Sequence, residues 1–132
     1  MLYLDSSALI KRYLKEEGSH AVLAAMAAEA AWCSCRVAFV ETARAVGRSV
    51  GLGAVDDVEV DWCDFDIVEV DRELTERAAE LAISSGLRSL DALHLAAALT
   101  LPRGELTFAT WDARLYRAAR EHGLRTLPAA LA

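Results

Sequence analysis

Short apolar runs alternate along this chain with longer stretches in which apolar residues recur every three to four positions, the pattern of strands alternating with helices. Residues 1–5 are a short strand with β-favouring Tyr3 that ends on an acid. Ser6 or Ser7 then caps a helix by accepting from its free N–H groups, and Gly18 ends it. In that helix Leu9/Tyr13 and Ile10/Leu14 stack at i,i+4, with Lys11, Arg12 and Lys15 outward. An alanine-rich helix over 19–31 leads into a short strand, 31–34. Over 36–50, Phe39, Ala43, Val46 and Val50 form one helical face, and Gly51 and Gly53 stop the helix. The acidic stretch 54–66 is weakly patterned and reads as a short helix or a loop. Beyond it come a strand over 67–70 and a helix over 72–85 stopped by Gly86. Ser89 opens a helix over 90–101 that is apolar nearly all round, which predicts burial. A strand over 106–109, a helix capped by Thr110 and closed by Gly123, and a strand over 124–127 complete the chain.

Strands separated by helices imply parallel pairing with helices on both faces, so the expected fold is a three-layer α/β/α domain around a central parallel sheet. With 132 residues and no repeat or linker-like tract, residues 1–132 read as a single domain. Such sheets bind ligands beyond the carboxyl ends of their strands, and that is where chemistry is expected.

No apolar run approaches the roughly 20 residues of a membrane span, and the first residues lack a basic, long-apolar leader, so the expectation is a cytoplasmic protein without a membrane partner. Cys33, Cys35 and Cys63 read as reduced thiols; Cys33-x-Cys35 finds no second Cys/His pair that could complete a zinc site. The net charge of −6 is unevenly spread, because residues 56–80 alone carry −9 and the rest of the chain +3. Twelve of the fourteen basic residues are arginine, whose planar fork suits phosphate oxygens. A nucleic-acid partner is therefore permitted by charge, though not demanded.

Four carboxylates carry the candidate chemistry. Asp5 ends the first strand, Asp91 and Asp112 lie at helix starts, and Glu41 lies on a helix opposite the Phe39/Ala43/Val46/Val50 face. Each has a plain alternative: acids in first helical turns suit the helix dipole, and Glu41 could pair with Arg44 or Arg48. Asp5 is hardest to dismiss, since an acid closing an apolar strand suits no core. Gathered together, the four would repel one another unless a cation joined them, and hard oxygen ligands select Mg²⁺ or Mn²⁺. Such a pocket hydrolyses phosphodiesters without a histidine base or a nucleophilic serine. His94, one turn after Asp91, reads as a structural histidine or one that orients Asp91. Ser6 and Thr110 read as caps whose hydroxyls also lie beside site acids, and His20 and His122 as surface residues.

Four segments together resemble the PIN domain, and more narrowly the VapC toxins of prokaryotic toxin–antitoxin pairs. They are Leu4-Asp5-Ser6-Ser7-Ala8-Leu9-Ile10-Lys11 with Tyr13, then Val40-Glu41, then Leu90-Asp91-Ala92-Leu93-His94-Leu95-Ala96, and Thr110-Trp111-Asp112-Ala113-Arg114-Leu115. The likeness spans nearly the whole chain in order. It implies a ribonuclease dependent on Mg²⁺ or Mn²⁺, with Asp5, Glu41, Asp91 and Asp112 at the metal-binding positions. It also implies a homodimer, an RNA substrate and a VapB-like antitoxin that covers the site. Arg44 and Arg48 are the expected phosphate contacts. A phosphotransfer receiver would need a paired acid beside Asp5 and a late lysine, and a haloacid-dehalogenase-type phosphatase would need Asp-x-Asp where Asp5-Ser6-Ser7 stands. The remaining rival is a PIN fold that binds RNA or protein without catalysis.

Overall fold

The computed structural model describes residues 1–131. In chain order the elements are β1 (Leu2–Leu4), α1 (Ser6–Tyr13), α2 (Ser19–Ala28), β2 (Trp32–Cys35), α3 (Val37–Ser49) and α4 (Leu52–Trp62). They continue with β3 (Phe65–Val68), α5 (Arg72–Ser85), α6 (Ser89–Leu99), β4 (Thr107–Ala109), α7 (Ala113–Glu121) and β5 (Arg125–Leu127). All five strands pair in parallel in the order β3-β2-β1-β4-β5, with Leu4 opposite Ala109 and Tyr3 opposite Cys33. The chain starts in the middle of the sheet, works outward to β3, and returns to place β4 on the other side of β1. Crossovers therefore diverge between β1 and β4, and a crevice opens at the carboxyl ends of those two strands.

The three layers follow from strand alternation. Tyr3 points to one face, where it joins Cys33, Phe108, Leu81, Leu95 and Leu115 under α5, α6 and α7. Leu2 and Leu4 point to the other face and pack with Ala109, Leu9, Val22 and Met26 under α1 and α2. A β1 buried on both sides is what a parallel sheet centre requires. Among the described residues no helix is long and apolar enough to cross a membrane.

Several boundaries and faces differ from the sequence expectation. The weakly patterned acidic stretch is helical: α4 is anchored by buried Val58 and by Trp62, which stacks on Phe65 at 5.3 Å. That contact also draws the third strand two residues earlier than expected, to start at Phe65. The buried positions of α3 are Ala38, Thr42 and Val46, whereas Val50 is 63% exposed. Lys11 is buried rather than outward: its ammonium reaches Glu16 and the Glu17 carbonyl and lies over the Trp111 ring. The His122 ring is half-buried and bonds the Ala118 carbonyl, while His20 is exposed as expected. Ser89 makes no cap; α6 is preceded by Arg88 and lacks a side-chain cap bond.

Candidate functional site

Asp5 leaves β1 into the crevice between β1 and β4, 3% exposed, and itself caps α1 by accepting from the Ala8 N–H at 2.8 Å. Ser6 and Ser7 are therefore free for other bonds, contrary to the expected cap. Ser7 Oγ donates to Asp5 Oδ1 at 2.7 Å and accepts from the Trp111 N–H at 2.9 Å. Thr110 Oγ1 donates to Asp5 Oδ2 and accepts from the Asp112 N–H at 3.1 Å. Thr110 is no helix cap either; Asp112 caps α7 by accepting from the Leu115 N–H at 2.9 Å. Two hydroxyls thus tie the Asp5 carboxylate to the loop that delivers Asp112, so the loops after β1 and β4 are held as one unit. The sequence reading missed Ser7, whose signal is a second hydroxyl directly beyond a strand-end acid.

Behind this loop the Trp111 indole packs against the Gly18 backbone, where a Cβ would stand 2.8 Å from the ring. Gly18 adopts φ +90°, a conformation that suits glycine. The buried Lys11 ammonium over the ring and the close approach of the Gly18 backbone together fix the residue that precedes Asp112.

Glu41 is held from a different direction. His94, 1% exposed on α6, places Nε2 at 3.0 Å from Glu41 Oε1 and 3.2 Å from Ser6 Oγ, and Nδ1 at 2.8 Å from the Tyr3 hydroxyl. An ionised carboxylate only accepts, so in a neutral ring Nε2 carries the hydrogen and Nδ1 accepts from Tyr3. The expectation that His94 orients Asp91, or that Glu41 pairs with Arg44 or Arg48, is replaced by this Tyr3–His94–Glu41 chain. Position decides it: His94 is on the inward face of α6, toward β1, while Arg44 and Arg48 are exposed. Tyr3 was legible only as a strand former.

Electrostatics separate the four acids. Burial pushes Asp5 up, against the His94 charge and the bonds from Thr110, Ser7 and Ala8. Burial also raises Glu41, but bonds from His94 and Ser6 outweigh it and leave the carboxyl below its ordinary value. Asp91, half-buried in the first turn of α6, is pushed up to about 6 by burial and then by the charges of Asp112 and Asp5, against His94 and Arg88. Asp5, Asp91 and Asp112 therefore share one neighbourhood, with Glu41 joined to it through His94. Among the described residues no Lys or Arg forms an ion pair with any of the four. Uncompensated hard carboxylate oxygens are the donor set that suits Mg²⁺ or Mn²⁺. Among the described residues no three His, Cys, Asp or Glu side chains converge on one ion position.

Comparison with known proteins agrees with this architecture. The PIN domain family pattern matches residues 2–121. Ribonuclease VapC45 and ribonuclease VapC49 of Mycobacterium tuberculosis are each 34% identical to the chain over 140 residues, covering 99% of it and 97% of the relative. In fold, the chain resembles the Mycobacterium tuberculosis VapC20 crystal structure, described as a sarcin–ricin-loop-cleaving toxin, with a TM-score of 0.77 at 14% identity over 94% of this chain and 96% of that one. A toxin–antitoxin complex from Klebsiella pneumoniae matches with a TM-score of 0.74 at 15% identity over all of both chains. The strand order, the crevice between β1 and β4, the family pattern and the full-length relatives lead to one assignment: the chain belongs to the PIN domain family, within its VapC group.

Proposed function

We propose that this protein is a ribonuclease that hydrolyses RNA phosphodiesters, the toxin of a VapBC-type pair, with Asp5, Glu41, Asp91 and Asp112 around bound Mg²⁺ or Mn²⁺. The observation that supports it best is Asp91, half-buried, pushed up to about 6 by burial and by the charges of Asp112 and Asp5, and in no ion pair with a Lys or Arg among the described residues. When bound, the ion would neutralise phosphate charge and acidify a water at neutral pH. The chain's own residues supply position. Ser7 and Thr110 aim both oxygens of Asp5, and His94 with Ser6 keeps Glu41 ionised as an acceptor. Arg44 and Arg48, exposed one and two turns beyond Glu41 on α3, are candidate contacts for substrate phosphates. A VapB-like antitoxin that covers the acids and a homodimer complete this reading, by analogy with the named relatives and toxin–antitoxin complexes.

One observation favours a different reading, a catalytically inactive PIN-fold module: no three donors converge among the described residues. Metal-linked stability decides between the two. Millimolar Mn²⁺ should raise the melting temperature of the wild type, since a ligand at 100 times its Kd stabilises the native state by about 2.7 kcal/mol. Asp5→Asn should fold, lose that shift and lose RNA cleavage. Cleavage that survives Asp5→Asn, or a wild type indifferent to Mn²⁺, would reject the nuclease reading.

A further inference from the structure

Charge is segregated across this sheet. At the β3 edge, α4, β3 and α5 carry the segment of net charge −9, and Arg36 at the carboxyl end of β2 is tied down by both oxygens of Glu69, at 2.6 and 3.1 Å. At the opposite edge, α7 follows Asp112 and presents Arg114 and Arg117, both exposed and one turn apart on the same helix face. Among the described residues neither makes a hydrogen bond or ion pair with the protein. Arg88, also exposed and unpaired among these residues, stands close enough to Asp91 to lower its proton affinity. Arg88 beside Asp91 and the two arginines that follow Asp112 thus lie on the α6/α7 side, and the segment of net charge −9 lies on the α4/α5 side.

We propose that single-stranded RNA leaves the acid cluster along the head of α7, with Arg114 and Arg117 on consecutive phosphates and Arg88 at the mouth. This rests on the ribonuclease reading above. A polyanion approaching a site of four carboxylates needs a cationic border on at least one side. Two guanidinium groups spaced along a helix, with no intramolecular partner to give up, supply it at little desolvation cost. The α5 arginines do not compete, because Arg72 and Arg77 already bond Glu76 and Glu80 within the acidic segment.

The test is the salt dependence of binding to a fluorescein-labelled single-stranded RNA of about 12 nucleotides. Anisotropy is read in an Asp91→Asn background, in which cleavage is blocked. Each lost phosphate contact on a single strand lowers the slope of log K against log salt by about 0.7, so Arg114→Ala/Arg117→Ala should lower it by about 1.4. Arg72→Ala/Arg77→Ala, with the same change in net charge, should leave the slope unchanged. An unaltered slope in the α7 variant overturns the proposal and leaves that pair to some other partner, such as an acidic protein segment. Equal losses in both variants overturn it too, since net charge alone would explain them. If the background chain binds no RNA at all, the ribonuclease reading itself falls, and this path with it.

Discussion

Replacing Asp91 with Asn should stabilise the metal-free protein and, on the ribonuclease reading, end RNA cleavage, and the structure sets the size of the first effect. Asp91 accepts no hydrogen bond from any described residue, and burial together with Asp112 and Asp5 raises its carboxyl from 3.8 to about 6. At about 1.36 kcal/mol per pH unit this corresponds to at most about 3 kcal/mol of penalty on the ionised form. Solvent screening of a half-buried group brings that to about 1–2 kcal/mol. The α6 dipole returns about 0.3–1 kcal/mol of it. The net gain for Asn at pH 7.5 is therefore about 1 kcal/mol, or roughly 3–5 °C in melting temperature for a chain of this size. The sign follows from proton linkage. The folded state holds the proton more tightly than the unfolded state, so this group's contribution is most favourable below about pH 4 and is lost as pH rises through about 6. Thermal and urea unfolding in EDTA at several values between about pH 4 and pH 7.5 should show the wild type and the variant converging in acid and separating above about pH 6. A variant that is equally or less stable at pH 7.5, or a difference independent of pH, would refute the argument that these acids strain the fold.

Two further perturbations test how the acids are held. Gly18→Ala forces a left-handed backbone on a side chain, at about 1–2 kcal/mol, and drives its Cβ into the Trp111 indole, at about 1–3 kcal/mol more. Chemical denaturation should register a loss of about 2–5 kcal/mol, and a loss below about 1 kcal/mol would mean that the indole moves aside freely. Tyr3→Phe removes the donor to His94 Nδ1 and leaves a buried nitrogen unpaired, at about 1–3 kcal/mol. Ring ¹⁵N shifts should report Nε2–H alone in the wild type and a mixture of tautomers in the variant; a single unchanged tautomer would show that Glu41 orders the ring without help from Tyr3.

Much of the fold was legible because its signals are local. Gly86 stops α5 as expected, adopting φ +64°, and apolar strands alternate with helices in the order the sheet requires. What escaped is non-local. The start of β3 is set by Phe65 against Trp62 and Trp32, a cluster that chain position does not reveal. On α3 the expected face is met at Val46 and in part at Phe39 and Ala43, but the polar Thr42 is buried and the apolar Val50 exposed, so hydrophobicity alone left the buried face rotated from its true position. The four acids were visible as residue types, but their holders were not. Serine and threonine beside a helix start read as caps, whereas here the acids cap and the hydroxyls bond sideways to another loop. His94 sits one turn from Asp91 yet bonds Glu41, 53 residues away in sequence, because its helix face, and not its spacing, selects the partner.

The same hydrogen bonds rank the acids by freedom. Both oxygens of Asp5 are engaged, one oxygen of Glu41 is bonded to His94, and one oxygen of Asp112 caps α7. Asp91 alone accepts nothing from any described residue, and it is the acid pushed up to about 6. A group without donors costs little to move, while Asp5 cannot shift without breaking its bonds to Ser7, Thr110 and Ala8. In the proposed site, gathering around an ion therefore falls mainly to Asp91, with Asp5 as the fixed point. Side-chain rotation in the first turn of α6 changes no backbone hydrogen bond, so the approach is compatible with a rigid fold. In the proposed site the acid that strains the fold is also the one that has to move, so relief of that strain by Asn and loss of RNA cleavage should arrive together.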